Sequence, residues 1–216
     1  MRGIVSFSLL AFSAVFFAVD PFAAVPMFLA MTGQDTPKKR REMALRASLT
    51  AFAVLTAFAV AGAFIFKALG ITMAAFKVAG GLLLLVMSMD MLRTQPSAAR
   101  ITPGEVDEGA QKDDIAIVPL AMPLLAGPGS IATVVVLMGK VKPHHQWQVV
   151  PILLAILVTC LASYLVLRGA SGVARVLGRT GLSIVSRIAG LLLAAVAAQF
   201  VLDGLGEALP LLRRPH

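Results

Sequence analysis

The sequence predicts an all-α, polytopic membrane protein of six transmembrane helices, arranged as two inverted three-helix repeats with spans one and four broken in their interiors. Three observations predict it. Hydrophobic residues make up 58% of the 216 and charged residues 14%, with a mean hydropathy of +0.88, whereas a soluble chain carries about 25% charge. Six apolar runs are long enough to cross a bilayer. Two of them carry Asp-Pro or Gly-Pro punctuation at corresponding places. The same composition excludes a disordered chain. Cys160 is the single cysteine, which excludes an intrachain disulfide scaffold.

A crossing of about 30 Å of hydrocarbon needs roughly 20 apolar residues. The spans fall at residues 4–31, 47–66, 71–92, 115–138, 147–167 and 182–202. Span one continues well past the length of a signal-peptide core and has only Arg2 before it, so it belongs to the mature protein. Residues 93–114 are rich in Pro, Gly, Ser and acids and read as a linker. The organisation is therefore 1–92, a first three-span repeat; 93–114, a cytoplasmic linker; and 115–216, a second three-span repeat.

Nineteen Lys and Arg stand against eleven acids. In a soluble chain this balance would raise nucleic acid, but here the charges sit between apolar runs and set topology. Six crossings put both termini on one side with seven basic residues, against twelve on the other, led by the run 38–41. The positive-inside rule then makes the second side cytoplasmic and both termini outward.

The repeat is visible at an offset of 110, which aligns Lys77-Val78-Ala79-Gly80 with Arg187-Ile188-Ala189-Gly190; an offset of 107 places Asp20-Pro21 over Gly127-Pro128. Three is odd, so the second copy enters from the opposite face, as in many secondary transporters.

Span one is broken at Asp20-Pro21, with Pro26 beyond. Asp caps free amides and Pro suits a first helical position, so a second half-helix is expected over 21–31. Span four is broken around Pro119, Pro123 and Gly127-Pro128-Gly129-Ser130. Pro removes backbone donors and Gly permits unusual conformations. Inside a membrane, irregular backbone survives only where it is buried in protein or lines a cavity. A half-helix opening at Gly127-Pro128 would aim amides and a positive dipole end toward mid-membrane, with Ser130 and Thr133 beside them: a receptor for a carboxylate. Asp20 is an intramembrane acid, a functional candidate on cost alone. Together they suit a small zwitterion, although Asp20 also has the simpler reading of a cap for its own half-helix. Gln199 in span six could bond a solute or a neighbouring helix. Asp90 and Asp203 read as interfacial acids, and Lys77 and Arg187 as snorkelling cations. His144-His145, lacking Cys or acid partners, make a poor metal site.

Four motifs resemble the MarC family of bacterial inner-membrane proteins, also classed as neutral amino acid transporters within the lysine-exporter superfamily. They are residues 20–26 (DPFAAVP), 80–83 with 90–92 (GGLL, DML), 123–130 (PLLAGPGS) and 199–204 (QFVLDG). The resemblance covers essentially the whole chain and implies a six-span inner-membrane protein, some of whose relatives carry glycine and alanine. Many relatives read Asp-Pro-x-Gly-Asn-x-Pro where this chain has Ala23 and Ala24.

The expected function is secondary transport of a small neutral amino acid, by rocking one three-span repeat against the other. The expected solute-binding residues are Asp20, Pro21, Pro26, Gly127, Pro128, Gly129, Ser130, Thr133 and Gln199. No nucleotide-binding motif is present, so no cofactor is expected beyond a coupling ion, H⁺ or Na⁺. The expected partners are a small-molecule solute and the bilayer, not nucleic acid; the small-residue faces also suit a homo-oligomer. The alternatives are a non-transporting membrane scaffold or regulatory protein, or an exporter of another small solute. An enzyme is disfavoured because neither His-Glu-x-x-His nor Gly-x-Ser-x-Gly occurs.

Overall fold

The computed structural model describes residues 2–33, 35–68, 70–93, 125–141 and 146–212. These hold seven α-helices and one 3-10 turn: α1 Arg2–Val19, α2 Ala24–Met31, α3 Pro37–Ala68, α4 Met73–Arg93, α5 Pro128–Gly139, the turn Gln146–Gln148, α6 Val149–Arg168 and α7 Ala170–Leu212. The linker and the first part of span four, with Pro119 and Pro123, lie outside the described residues, as do His144 and His145.

Four helical stretches, Pro37–Gly62, Met73–Arg93, Val149–Arg168 and Thr180–Leu209, are long and apolar enough to cross a membrane. The pair Ile4–Val19 and Ala24–Met31, bent by 40°, makes a fifth span if counted as one. Pro128–Gly139 is a shorter apolar helix. The outward surface is apolar too: Phe64 is 77% exposed and Leu202 64%, which in water would be a large liability and in lipid is the expected lining.

Local chemistry sets the boundaries. Pro37 opens α3 at a first-turn position where its missing N–H costs nothing, and Thr36 Oγ1 accepts from the Lys39 amide at 3.3 Å. Thr72 caps α4 in the same way, taking the Ala75 amide at 3.2 Å. Gly70, at φ 70°, supplies the left-handed turn between them. The Arg40 guanidinium closes the end of α2, donating to Thr32 O at 2.8 Å and Gly33 O at 2.9 Å, where carbonyls lack helical partners. α3 starts ten residues before its predicted span because its basic first turns extend the helix beyond the apolar stretch.

Lipid supplies no hydrophobic drive between helices, so packing rests on small residues that let backbones approach. Ala11, Ala14, Ala44, Ala47, Ala51 and Ala59 are fully buried on α1 and α3. The tightest crossing joins α4 to α7. A Cβ on Gly81 would stand 2.8 Å from Ala197 O and 3.0 Å from Val201 N. One on Gly190 would stand 3.1 Å from Ser88 O and 3.4 Å from Leu92 N. Gly204 meets Ala74 and Lys77 at the far end, so the two helices run antiparallel. These contacts are reciprocal: residues 81 and 190, 88 and 197, and 92 and 201 are each separated by 109 positions. The structural pairing is thus Gly81 with Gly190, one residue from the alignment by sequence.

The helices of residues 2–93 and those of residues 125–212 interleave. α1 packs on α5, α6 and α7; α3 on α5 and α6; and α4 on α5 and α7. Two apolar clusters result. One joins α1, α2, α3, α5 and α6 with the first part of α7, through Ala170 and Leu182; the other joins α4 and the later part of α7 with Ala18 and Val136.

Candidate functional site: the two helix breaks

The first break is a turn, not a direct helix start. Asp20 has φ 48°, a left-handed conformation that Asp tolerates better than most side chains. Its amide still bonds Phe16 O at 2.9 Å, ending α1. Pro21, Phe22 and Ala23 form the turn, and α2 begins at Ala24, three residues later than predicted. Asp20 Oδ1 accepts the Ala23 amide at 3.3 Å, so the carboxylate does cap a backbone donor. It is also 2% exposed. Pro26 occupies the first turn of α2, where no N–H is missed.

The second break is centred on Gly127, whose extended backbone (φ −77°, ψ 173°) leads into Pro128 at the head of α5. Ile131 N bonds Gly127 O at 3.0 Å, the first helical bond. The hydroxyls expected to face an anion turn to the backbone instead. Ser130 Oγ donates to Leu125 O at 3.1 Å and Gly127 O at 3.0 Å, and Thr133 Oγ1 donates to Gly129 O at 2.8 Å. Buried hydroxyls take the nearest carbonyl when one is within a turn, so the positive end of the α5 dipole is the feature left to meet an anion.

The breaks share one environment. Val19, Ala24 and Val25 from the first, with Leu125 and Ala126 from the second, belong to the same apolar cluster. α7 covers the first break through Leu193 and Ala197, which cluster with Ala18. α4 covers the second: a Cβ on Gly129 would stand 2.2 Å from Met87 Sδ and 3.1 Å from Leu84 Cδ2. Only glycine lets Met87 come that close.

Of the predicted site residues, Asp20, Pro21, Gly127, Gly129, Ser130 and Thr133 are buried at the breaks, whereas Pro26 and Pro128 are exposed on outer helix faces. Gln199 is elsewhere: it is exposed and donates to Asp203 Oδ1 at 2.7 Å. Helical geometry explains this, since Ala197 and Phe200 face the core and the two residues between them, Ala198 and Gln199, face outward. A groove between α1 and α6, lined by Ser8, Phe12, Trp147 and Leu154 among others, contains none of the predicted residues.

Sequence reasoning missed two ionic groups. At the end of the bundle holding the α5 C-terminus, Lys140 Nζ donates to Asp203 Oδ2 at 2.5 Å and lies 5.0 Å from the Phe200 ring centroid. Buried Lys77 pairs with Glu207 nearby on α7. At the opposite end, Arg40 reaches Ser171 Oγ at 3.4 Å and Arg41 reaches Tyr164 at 3.3 Å. Buried hydroxyls on α3 and α6 were also overlooked: among the described residues, Ser48 Oγ and Thr159 Oγ1 have no hydrogen-bond partner. Small polar residues in apolar runs were the available signal.

Comparison with known proteins gives a consistent answer. Residues 5–209 match the family described as MarC family integral membrane protein. A UPF0056 membrane protein of Methanocaldococcus jannaschii is 42% identical over 93% of this chain and 97% of its own. One from Aquifex aeolicus is 38% identical over 92% of each. YhcE of Escherichia coli, another UPF0056 membrane protein, is 31% identical over 92% of each. No solved structure matches. The chain belongs to the MarC family of integral membrane proteins.

Proposed function

We propose that the protein is a secondary transporter of small neutral amino acids in the bacterial inner membrane, with six spans in two inverted repeats and both termini outward. The observation that carries this reading is the pair of breaks in one packed core: a buried carboxylate at Asp20 and the dipole end of α5 at Gly127. An ammonium suits the first and a carboxylate the second. The reciprocal contacts of Gly81 and Gly190 support the inverted repeat. The charge distribution supports the orientation.

The interleaved halves do not suit rocking of one three-span unit against the other, because each half buries its helices against its counterpart. The apolar clusters suggest different bodies. α4 and the part of α7 from Ala189 onward are clamped by glycines and cover both breaks, so their movement against the remaining helices would expose them. The energy comes from an H⁺ or Na⁺ gradient.

The test is thermal unfolding of the purified protein against the twenty amino acids, at two pH values, with and without Na⁺. A ligand that binds the native state stabilises it by mass action, by about 2.7 kcal/mol at 100 times Kd. Glycine, alanine or serine is expected to stabilise saturably. No response to any of the twenty would redirect the reading to another solute or to a scaffold.

A further inference from the structure

At the end of the bundle bearing the basic run, an arginine of α3 reaches a tyrosine of α6 that has a second arginine one helical turn beyond it. Arg41 Nε donates to Tyr164 Oη at 3.3 Å. Arg168 stands four residues beyond Tyr164, on the same face of α6. Among the described residues neither arginine forms an ion pair with a carboxylate, whereas Lys39 is paired with Asp35 at 2.9 Å. Arg40, their neighbour, spends its guanidinium on Thr32, Gly33 and Ser171. Both Arg41 and Arg168 are exposed. Two like charges flanking one phenol repel each other, and an anion between them relieves this while accepting from both planar forks.

The surroundings indicate where that anion comes from. Immediately after Arg168, residues 170–177 form a short amphipathic stretch of α7. Ala170 is buried, Val173, Ala174 and Leu177 pack on the core, and Val176 is 83% exposed beside Arg175. Gly178, at φ 62° and ψ −175°, then turns the chain into the last span. An exposed Val flanked by Arg at the end of a membrane-crossing bundle belongs in the headgroup region, its apolar side chain in the acyl boundary.

We infer that Arg41, Arg168 and Tyr164 form a binding site for the phosphate of an anionic phospholipid headgroup. Arg41 and Arg168 donate to the phosphate oxygens, and the Tyr164 hydroxyl, released from one arginine, donates as well. The site joins α3 to α6 through a lipid.

The experiment is native mass spectrometry of the full chain in detergent, titrated with phosphatidylglycerol, with phosphatidylcholine, or with inorganic phosphate. Wild type is expected to retain phosphatidylglycerol in preference to phosphatidylcholine. Arg41→Gln and Arg168→Gln should each weaken retention about tenfold, the loss of a charge-assisted bond, while Lys38→Gln at the same end leaves it unchanged. Arg41→Lys keeps the charge and loses the fork; it should weaken retention without disturbing the fold, should Arg41→Gln fail to accumulate. Equal losses from Lys38→Gln and Arg41→Gln would overturn the site in favour of diffuse charge. Unchanged retention in the Arg41→Gln/Arg168→Gln double variant would overturn it outright. Displacement of the lipid by inorganic phosphate at equal concentration would overturn the assignment to lipid.

Discussion

Replacing Gly81 with leucine is expected to prevent accumulation of folded protein. The first added carbon would stand 2.7 Å from Val201 Cγ2, 2.8 Å from Ala197 O and 3.0 Å from Val201 N. Two of these are backbone atoms and cannot rotate aside, so α4 must move off α7 along the crossing that Gly190 and Gly204 also define. Overpacking a well-filled core costs about 1–3 kcal/mol, and a backbone clash lies at or above the top of that range. Gly206→Leu is the control, because nothing lies within 4 Å of its added Cβ. The check is thermal unfolding with size-exclusion chromatography: Gly81→Leu should aggregate or unfold at much lower temperature, and Gly206→Leu should match wild type. A Gly81→Leu protein of unchanged stability would contradict the close α4–α7 crossing.

The second large effect is at Asp20, where two substitutions separate its two roles. Asparagine retains an acceptor for the Ala23 amide and tolerates the left-handed backbone nearly as well as aspartate; it removes the charge alone. Alanine removes the cap as well and is strained at φ 48°. Asp20→Asn is therefore expected to fold like wild type and to lose at least about tenfold in solute affinity, the worth of a charged hydrogen bond. Asp20→Ala should lose binding and also unfold earlier, by about 1 kcal/mol for the cap. Isothermal titration with unfolding curves measures both. Full affinity in Asp20→Asn would leave Asp20 as a cap and remove the ammonium role.

Much of the fold was legible because lipid imposes one dominant signal: long apolar stretches. Five of the predicted spans coincide with described helices or with the bent pair, the first break falls at Asp20-Pro21, and α5 opens at Gly127-Pro128. Hydropathy could not see the helical extension of α3 through its basic first turns, nor the hinge at Gly178 that makes residues 170–177 a separate stretch. It could not tell which face a residue takes, so Pro26 and Gln199 read as site residues and lie outside the breaks. Hydroxyl direction was equally hidden: whether Ser130 donates to a solute or to Leu125 and Gly127 depends on backbone geometry only the folded break supplies. The ion pairs escaped for a different reason. Lys140 and Asp203 are 63 residues apart and Lys77 and Glu207 are 130 apart, and no local spacing marks such partners.

In the transport we propose, the breaks carry a small zwitterion across the membrane. The most direct measurement of that transport is uptake of labelled alanine and glycine by proteoliposomes of the full chain under an imposed H⁺ or Na⁺ gradient, beside protein-free liposomes and the folded Asp20→Asn variant. Saturable, gradient-driven uptake is expected of wild type, and at least about tenfold less of Asp20→Asn at subsaturating solute. Uptake by folded wild type no greater than that of empty liposomes, under either gradient and in either direction, would contradict it.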